Sequence, residues 1–339
     1  MKKAGASETL LDYLRDQGLT GCKRSCGIGE CGSCTVVVSH RQGEGGAVVA
    51  CLVPLASLHG AAVTTVEGLG QELHPVQELL HAGHATQCGF CSPGLVGHHY
   101  LISCFHPSSK VMSAVGLLAS CPSPDIEDLG RGLQGNLCRC TGYRPILSSL
   151  ADLCSNTERQ ADCQKGLMSL NHEAERRRAE ADSTELELES TTQVPINVLC
   201  IDTRVIIKKN SLKVWHRPVS LARLFVLLEQ HPDAVLRSGG TGGLHGNQEQ
   251  AGGGRVVELR GIQEMHQVEE TEEGLWVGAA VSLSRLEKLL SERPGMKTLL
   301  ESVQSVGTPQ VPFPLCLSNN PGEEPCHCGR TPLLGTPCL

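Results

Sequence analysis

The sequence predicts a multidomain α+β protein, and three observations carry that reading. β-Branched runs and a glycine-rich cysteine loop fill the first seventy residues, helical spacing takes over near residue 75, and strand-helix alternation begins afresh near 212. At 339 residues, against roughly 100 to 200 per domain, the chain has room for two or three such units.

The elements follow in order. SETLLDYLRDQGL places Leu10, Leu11, Leu14 and Leu19 along a short amphipathic helix, with Ser7 as its N-cap and Gly21 as its stop. CTVVVSH and GAVVACLVPL, separated by RQGEGG, read as a β-hairpin, and AAVTTVEGL as a further strand, completing a unit over residues 1–70. HPVQELLHAGH, PGLVGHHYLIS and SPDIEDLGRGLQGNL carry helical spacing and make a second unit over 71–154. Inside it CFHPSSKVMSAVGLLASC, near 104–121, has no partner pattern and reads as an insertion. Residues 155–211 form a charged linker, with helical tendency in AERRRAEA. LKVWHRPVSLARLFVLLEQHPDAVLRSGGTGG, RVVELRGI and GLWVGAAVSLSRLEKLLSE alternate strand and helix over 212–308, and 309–339 is an unstructured tail rich in Pro, Gly and Cys.

The net charge is −7, and the one basic cluster, Arg176 to Arg178, lies among glutamates. This argues against nucleic acid or an anionic membrane as partner. Asp12 and Arg15 interrupt the N-terminal apolar run, and no stretch reaches the ~18 apolar residues of a membrane span. The expectation is a cytoplasmic chain whose eighteen cysteines stay reduced, so that clustered thiols bind metal.

Cys26, Cys31 and Cys34 in CGIGECGSC have the C-x4-C-x2-C spacing of a plant-type [2Fe-2S] site, with Cys51 as fourth thiol. Gly27, Gly29 and Gly32 let such a loop turn with positive φ and aim N–H groups at sulfur. A zinc knuckle is the alternative, and Cys22 is a spare thiol nearby. Cys88 and Cys91 in QCGFCSPG join Cys138 and Cys140 in QGNLCRCTGYRPI as a second set, both pairs placed at expected helix N-termini that favour thiolates. Zinc fits this second spacing equally well. Gly239, Gly240, Thr241 and Gly242 form a phosphate-type glycine loop, which alone is also a plain turn. Cys326 and Cys328, a further C-x-C without a matching pair, read as chance composition, and the histidines, His98 and His99 among them, as surface or helix residues.

CGIGECGSC, ACLVPLASLHGAAVTTVEGL, HPVQELL, TQCGFCSPG and QGNLCRCTGYRPI, in that order, resemble the N-terminal part of the xanthine dehydrogenase and aldehyde oxidase family of molybdenum hydroxylases. The likeness covers residues 7–153 and, more faintly, 212–308, and SLHGAAVTTVEG is nearer to the aldehyde oxidases. It implies a β-grasp ferredoxin-like domain with one [2Fe-2S] cluster on Cys26, Cys31, Cys34 and Cys51. A four-helix domain would follow, with a second cluster on Cys88, Cys91, Cys138 and Cys140, nearer to molybdenum. Last would come a truncated α/β FAD-binding domain of the PCMH type, using the Gly239–Gly242 loop. In the family, electrons from an aldehyde or N-heterocycle leave a molybdopterin centre, cross both clusters to FAD and pass to oxygen or NAD. Gln87 matches a family glutamine near the pterin.

The chain departs from the family pattern in five ways. Glu30 replaces a glycine and would crowd a tight backbone position, lowering the potential or hindering assembly. Forty-six residues separate Cys91 from Cys138, more than the family requires. The glycine loop lacks the family asparagine, and the tail replaces the second flavin motif. The molybdopterin domain has no counterpart, so no catalytic residue is expected and the chain should not oxidise substrate alone. The expected partners are a full-length hydroxylase subunit and a small-molecule electron acceptor. The competing readings are a non-catalytic interaction module and a zinc protein.

Overall fold

A computed structural model describes residues 8–40, 45–69, 73–91, 108–155, 158–163, 165, 175–176, 199–200, 214–238, 255–271 and 274–305. Its contacts divide the chain into two compact units, one running through Trp215 and one beginning at His216.

The first unit opens with α1 (Leu10–Asp16), whose Leu10, Leu11, Tyr13 and Leu14 are buried. The N-cap is Thr9, not Ser7: its hydroxyl oxygen accepts from the Asp12 N–H at 3.2 Å, satisfying an orphan helix donor. The helix also stops earlier than Gly21, turning at Gly18 with φ of 86°. The expected hairpin is present as β1 (Thr35–Ser39) and β2 (Gly45–Val49), antiparallel with Thr35 opposite Val49. β3 (Ala62–Thr64) lies on the other side of β1, with Val38 opposite Val63.

Among the described residues a run of helices follows. α2 (Pro75–Ala82) starts from His74, whose side chain accepts from the Val76 N–H while Gln77 reaches back to the His74 N–H at 2.8 Å. α3 spans Ser108–Ser120, α4 Ile126–Gly132, α5 Arg144–Leu150 and α6 Asp152–Ser155. α3 corrects the expected insertion near 104–121. Its Val111, Met112, Ala114, Val115 and Leu118 are at most 1 % exposed, and it packs on β1 and β2 as well as on α2 and α4. Contact with β2 is so close that a Cβ on Gly116 would sit 2.5 Å from the Ala47 Cβ. The helix expected in PGLVGHHYLIS lies outside the described residues.

β4 (Leu199–Cys200) pairs antiparallel with β3 and completes the sheet order β2-β1-β3-β4. Part of the expected linker 155–211 therefore belongs to the first sheet. The apolar run VLCI, set within polar sequence, was the available signal.

From Val214 on, β5 (Val214–His216), β6 (Val235–Arg237) and β7 (Arg255–Glu258) form a sheet of order β5-β7-β6, with β6 and β7 parallel. α7 (Leu221–Gln230), capped by Ser220, contributes Leu224 to a small core with Val257, Leu259 and Ile262. The hairpin β8 (Val268–Thr271) and β9 (Gly274–Val277) precedes α8 (Leu283–Ser291) and α9 (Lys297–Gln304), which share a core of Val281, Leu286, Leu290 and Val303. The tail 309–339 lies outside the described residues. Among the described residues no helix is long and apolar enough to cross a membrane.

Candidate metal centres

The first centre is built by the loop between α1 and β1 together with the turn after β2. Pairing of β1 with β2 ends in a hydrogen bond from Ala50 N–H to the Cys34 carbonyl at 3.2 Å, which sets Cys51 beside Cys34. Gly27, Gly29 and Gly32 all take positive φ, as expected of a loop folding round its own sulfurs. The Cys31 N–H points at the Cys26 sulfur at 3.4 Å, the Ser33 N–H at the Cys31 sulfur at 3.5 Å, and the Gly29 N–H at Cys51. Burial works to raise the Cys31 thiol, but hydrogen bonds from Cys26 and Ser33 outweigh it and bring it down to about 7. Cys34 and Cys51 share one hydrogen bond that raises the donor Cys34 and lowers the acceptor Cys51.

Two neighbours behave differently from the expectation or add to it. Cys22 is buried, and its thiol donates to the Cys34 carbonyl at 3.2 Å; burial pushes its pKa far up, making it an inert packing group. Glu30 is exposed, and among the described residues only His84 and Tyr143 are non-glycine residues with positive φ. The expected crowding at Glu30 is therefore corrected, since its backbone is unstrained.

At the second centre Cys88 and Cys140 are exposed and share a hydrogen bond, while Cys138 lies close enough to act on both by charge. Cys91 is 8 % exposed and falls in the same apolar core cluster as Cys138. The C-x-C pair does not sit at a helix N-terminus, since α5 begins only at Arg144. A tight turn brings its sulfurs round instead. Gly142 and Tyr143 have φ of 62° and 69°, and the Tyr143 hydroxyl accepts from the Cys138 N–H at 3.1 Å. The Thr141 hydroxyl lies 3.1 Å from the Cys138 sulfur. Burial of Cys138 opposes ionisation, yet the Thr141 hydrogen bonds hold the thiol down to about 6. Thr141 and Tyr143, missed as site residues, stand in the same TGY that follows Cys140. Gln87 is exposed beside Cys88.

The two centres touch through backbone. The Leu137 N–H donates to the Cys31 carbonyl at 3.0 Å, and a Cβ on Gly32 would lie 2.3 Å from the Gly135 carbonyl oxygen. Beside this contact is a cavity of about 410 Å³ lined by Glu30, Lys110, Leu133, Asn136, Leu137 and Ile146, among others. Among the described residues no three His, Cys, Asp or Glu side chains take up a single-ion arrangement. The sulfurs associate in pairs, Cys26 with Cys31 and Cys34 with Cys51. Gly239, Gly240, Thr241 and Gly242, the expected FAD residues, lie outside the described residues, as do His98, His99, Cys326 and Cys328.

Residues 3–56 match the 2Fe-2S iron-sulfur cluster binding domain, 65–103 and 95–151 the [2Fe-2S] binding domain, and 208–312 the FAD binding domain in molybdopterin dehydrogenase. The middle match is thus split into two parts that overlap at 95–103, upstream of α3. The chain is 38% identical to aldehyde oxidase 2 of Cavia porcellus over 348 residues, covering 89% of this chain and 24% of that protein. It is 36% identical to xanthine dehydrogenase of Drosophila pseudoobscura pseudoobscura over 309 residues, covering 84% and 22%. The solved quinoline 2-oxidoreductase from Pseudomonas putida 86 shares 32% identity over 48% of this chain and 86% of its own, with a TM-score of 0.37. The chain spans about a quarter of the length of the curated relatives it matches. It belongs to the xanthine dehydrogenase and aldehyde oxidase family of molybdenum hydroxylases, and to the part of that family that carries two [2Fe-2S] domains and an FAD-binding domain.

Proposed function

We propose that this chain carries single electrons between two [2Fe-2S] clusters and on toward FAD, within an aldehyde-oxidase-like hydroxylase whose substrate is oxidised elsewhere. Cys26, Cys31, Cys34 and Cys51 hold the first cluster, and Cys88, Cys91, Cys138 and Cys140 the second. Each cluster, when bound, supplies a one-electron couple. The protein's own contribution is thiolates preformed by hydrogen bonds from Ser33, Gly29 and Thr141. The observation that carries the reading is the Leu137 N–H to Cys31 carbonyl bond, because it joins a ligand of the first site to the residue bonded to Cys138 of the second.

The β2-β1-β3-β4 sheet with α1 supports a β-grasp ferredoxin-like first domain, and α2 to α5 support a four-helix second domain. The β6-β7 pair supports a PCMH-type FAD domain over 212–308, with the Gly239–Gly242 loop on the flavin phosphates. Phe90, Leu137, Tyr143 and Leu147, apolar and exposed around the second centre, support docking of further hydroxylase structure there. We place the protein in the cytoplasm on its reduced thiols.

Reconstitution with ferrous iron and sulfide tests this. The expected product has bands between about 400 and 550 nm and about four irons with four acid-labile sulfides per chain, two of each per cluster. Zinc without labile sulfide refutes it.

A further inference from the structure

We propose that Lys110 is the charge partner of the second cluster, a buried ammonium that favours that cluster's reduced state. The inference rests on the cluster assignment above and deepens it.

Lys110 lies in the first turn of α3 and is only 2 % exposed. Lysine is almost never buried this fully without a counter-charge. Among the described residues its Nζ has no hydrogen-bond partner of ordinary geometry. It lines one cavity with Asn136 and Leu137, the two residues that lead into Cys138, and it favours the Cys138 thiolate. The placement is held by a neighbour on the same helix face. Ser113, one turn on, accepts a hydrogen bond from the Asn136 Nδ2 at 2.7 Å, which ties α3 to the segment entering Cys138.

The surroundings sharpen the argument. Leu133, Leu137 and Ile146 line the cavity with Lys110, so the local dielectric is low and a buried charge is both expensive and strongly felt. Glu30 lines the same cavity but is exposed, where water and salt screen it. Four thiolates, two sulfides and two ferric ions give an anionic centre, and one added electron makes it more so. An ammonium buried beside such a centre stabilises the reduced form more than the oxidised form, raising the potential. Without a cluster the Cys138 thiolate is the lysine's remaining counter-charge, a smaller one than the whole anionic centre.

Two readouts test this on the full chain. Electron paramagnetic resonance would follow a dithionite titration of the reconstituted protein, with the two signals assigned through Cys34→Ser and Cys140→Ser variants. Lys110→Met and Lys110→Gln are expected to lower the reduced-to-oxidised ratio of the second cluster at least tenfold at fixed potential, a midpoint shift of about 59 mV for one electron. The first cluster should move less, and Lys110→Arg should stay near the parent. In the iron-free chain Lys110→Met is expected to slow alkylation of Cys138 by iodoacetamide at neutral pH several-fold, and Lys110→Arg to leave it near the parent. An unmoved second midpoint in both neutral variants overturns the proposal. So does unchanged Cys138 alkylation in both neutral variants, since the lysine would then not act on that sulfur; should Lys110→Met fail to fold, Lys110→Gln decides by the same two readouts. A parent chain that takes up no iron refutes the cluster assignment itself, and the Lys110 role with it.

Discussion

Gly32 offers the sharpest test of how the two centres are joined. Its φ is 66°, a region that costs an L-residue about 1–2 kcal/mol. An added Cβ would lie 2.3 Å from the Gly135 carbonyl oxygen and 3.1 Å from the Asn136 Cα, both backbone atoms that cannot swing aside. Relieving that overlap means parting the loops and stretching the Leu137 to Cys31 bond, an overpacking cost of about 1–3 kcal/mol. Gly27 is the internal control, because its φ of 74° is equally left-handed while nothing lies within 4 Å of where a Cβ would stand. Gly27→Ala should therefore cost about 1 kcal/mol and Gly32→Ala about 3 kcal/mol. With a urea slope of about 1–3 kcal/mol/M, the two variants' unfolding midpoints should differ by about 0.7–2 M in the iron-free protein, followed by circular dichroism. Equal midpoints would show that the loops do not depend on each other's close approach, and would refute the reasoning.

Three further outcomes follow from particular residues. Leu118→Ala in α3, where the side chain is 1 % exposed, should cost about 2–5 kcal/mol by chemical denaturation, whereas an exposed insertion would lose almost nothing. His74 is 5 % exposed, and burial pushes its imidazole down to about 4 from 6.5. A lowered folded value means that stability is complete above about pH 6.5 and is lost as pH falls toward 4, by up to about 3 kcal/mol. His74→Asn, which keeps an N-cap acceptor, should flatten that slope in pH-dependent melting, and an unchanged slope would acquit His74. Thr141→Val removes a hydrogen bond that opposes the burial of Cys138, so the thiol should rise above about 6. Alkylation of Cys138 by iodoacetamide at neutral pH, read by mass spectrometry, should then slow several-fold in the iron-free protein.

Much of the site was legible in the sequence because its chemistry is written in short-range spacing. C-x4-C-x2-C with three glycines specifies a loop whatever surrounds it, and the hairpin that carries Cys51 to Cys34 follows from two β-branched runs around a turn. Reading α3 as an insertion failed for a different reason. SSKVMSAVGLLAS has a mixed, mostly apolar surface, because it is buried on several sides against β1, β2, α2 and α4 and so lacks a clean amphipathic stripe. The two-residue strand at Leu199–Cys200 was hidden similarly, being too short to show alternation and given its identity only by pairing with β3.

By itself, then, the amino-acid order determined the candidate ligand sets, the order of the matched domains and the family, since each depends on residues near one another in the chain or on the order of motifs. Only the tertiary structure decided that a turn, not a helix end, carries Cys138 and Cys140, that the Cys31 carbonyl meets the Leu137 N–H, and that Lys110 is buried in the cavity beside the segment entering Cys138. Those facts depend on which distant segments share a surface. Close packing and the cost of burying unpaired polar groups settle that only once the whole unit has folded.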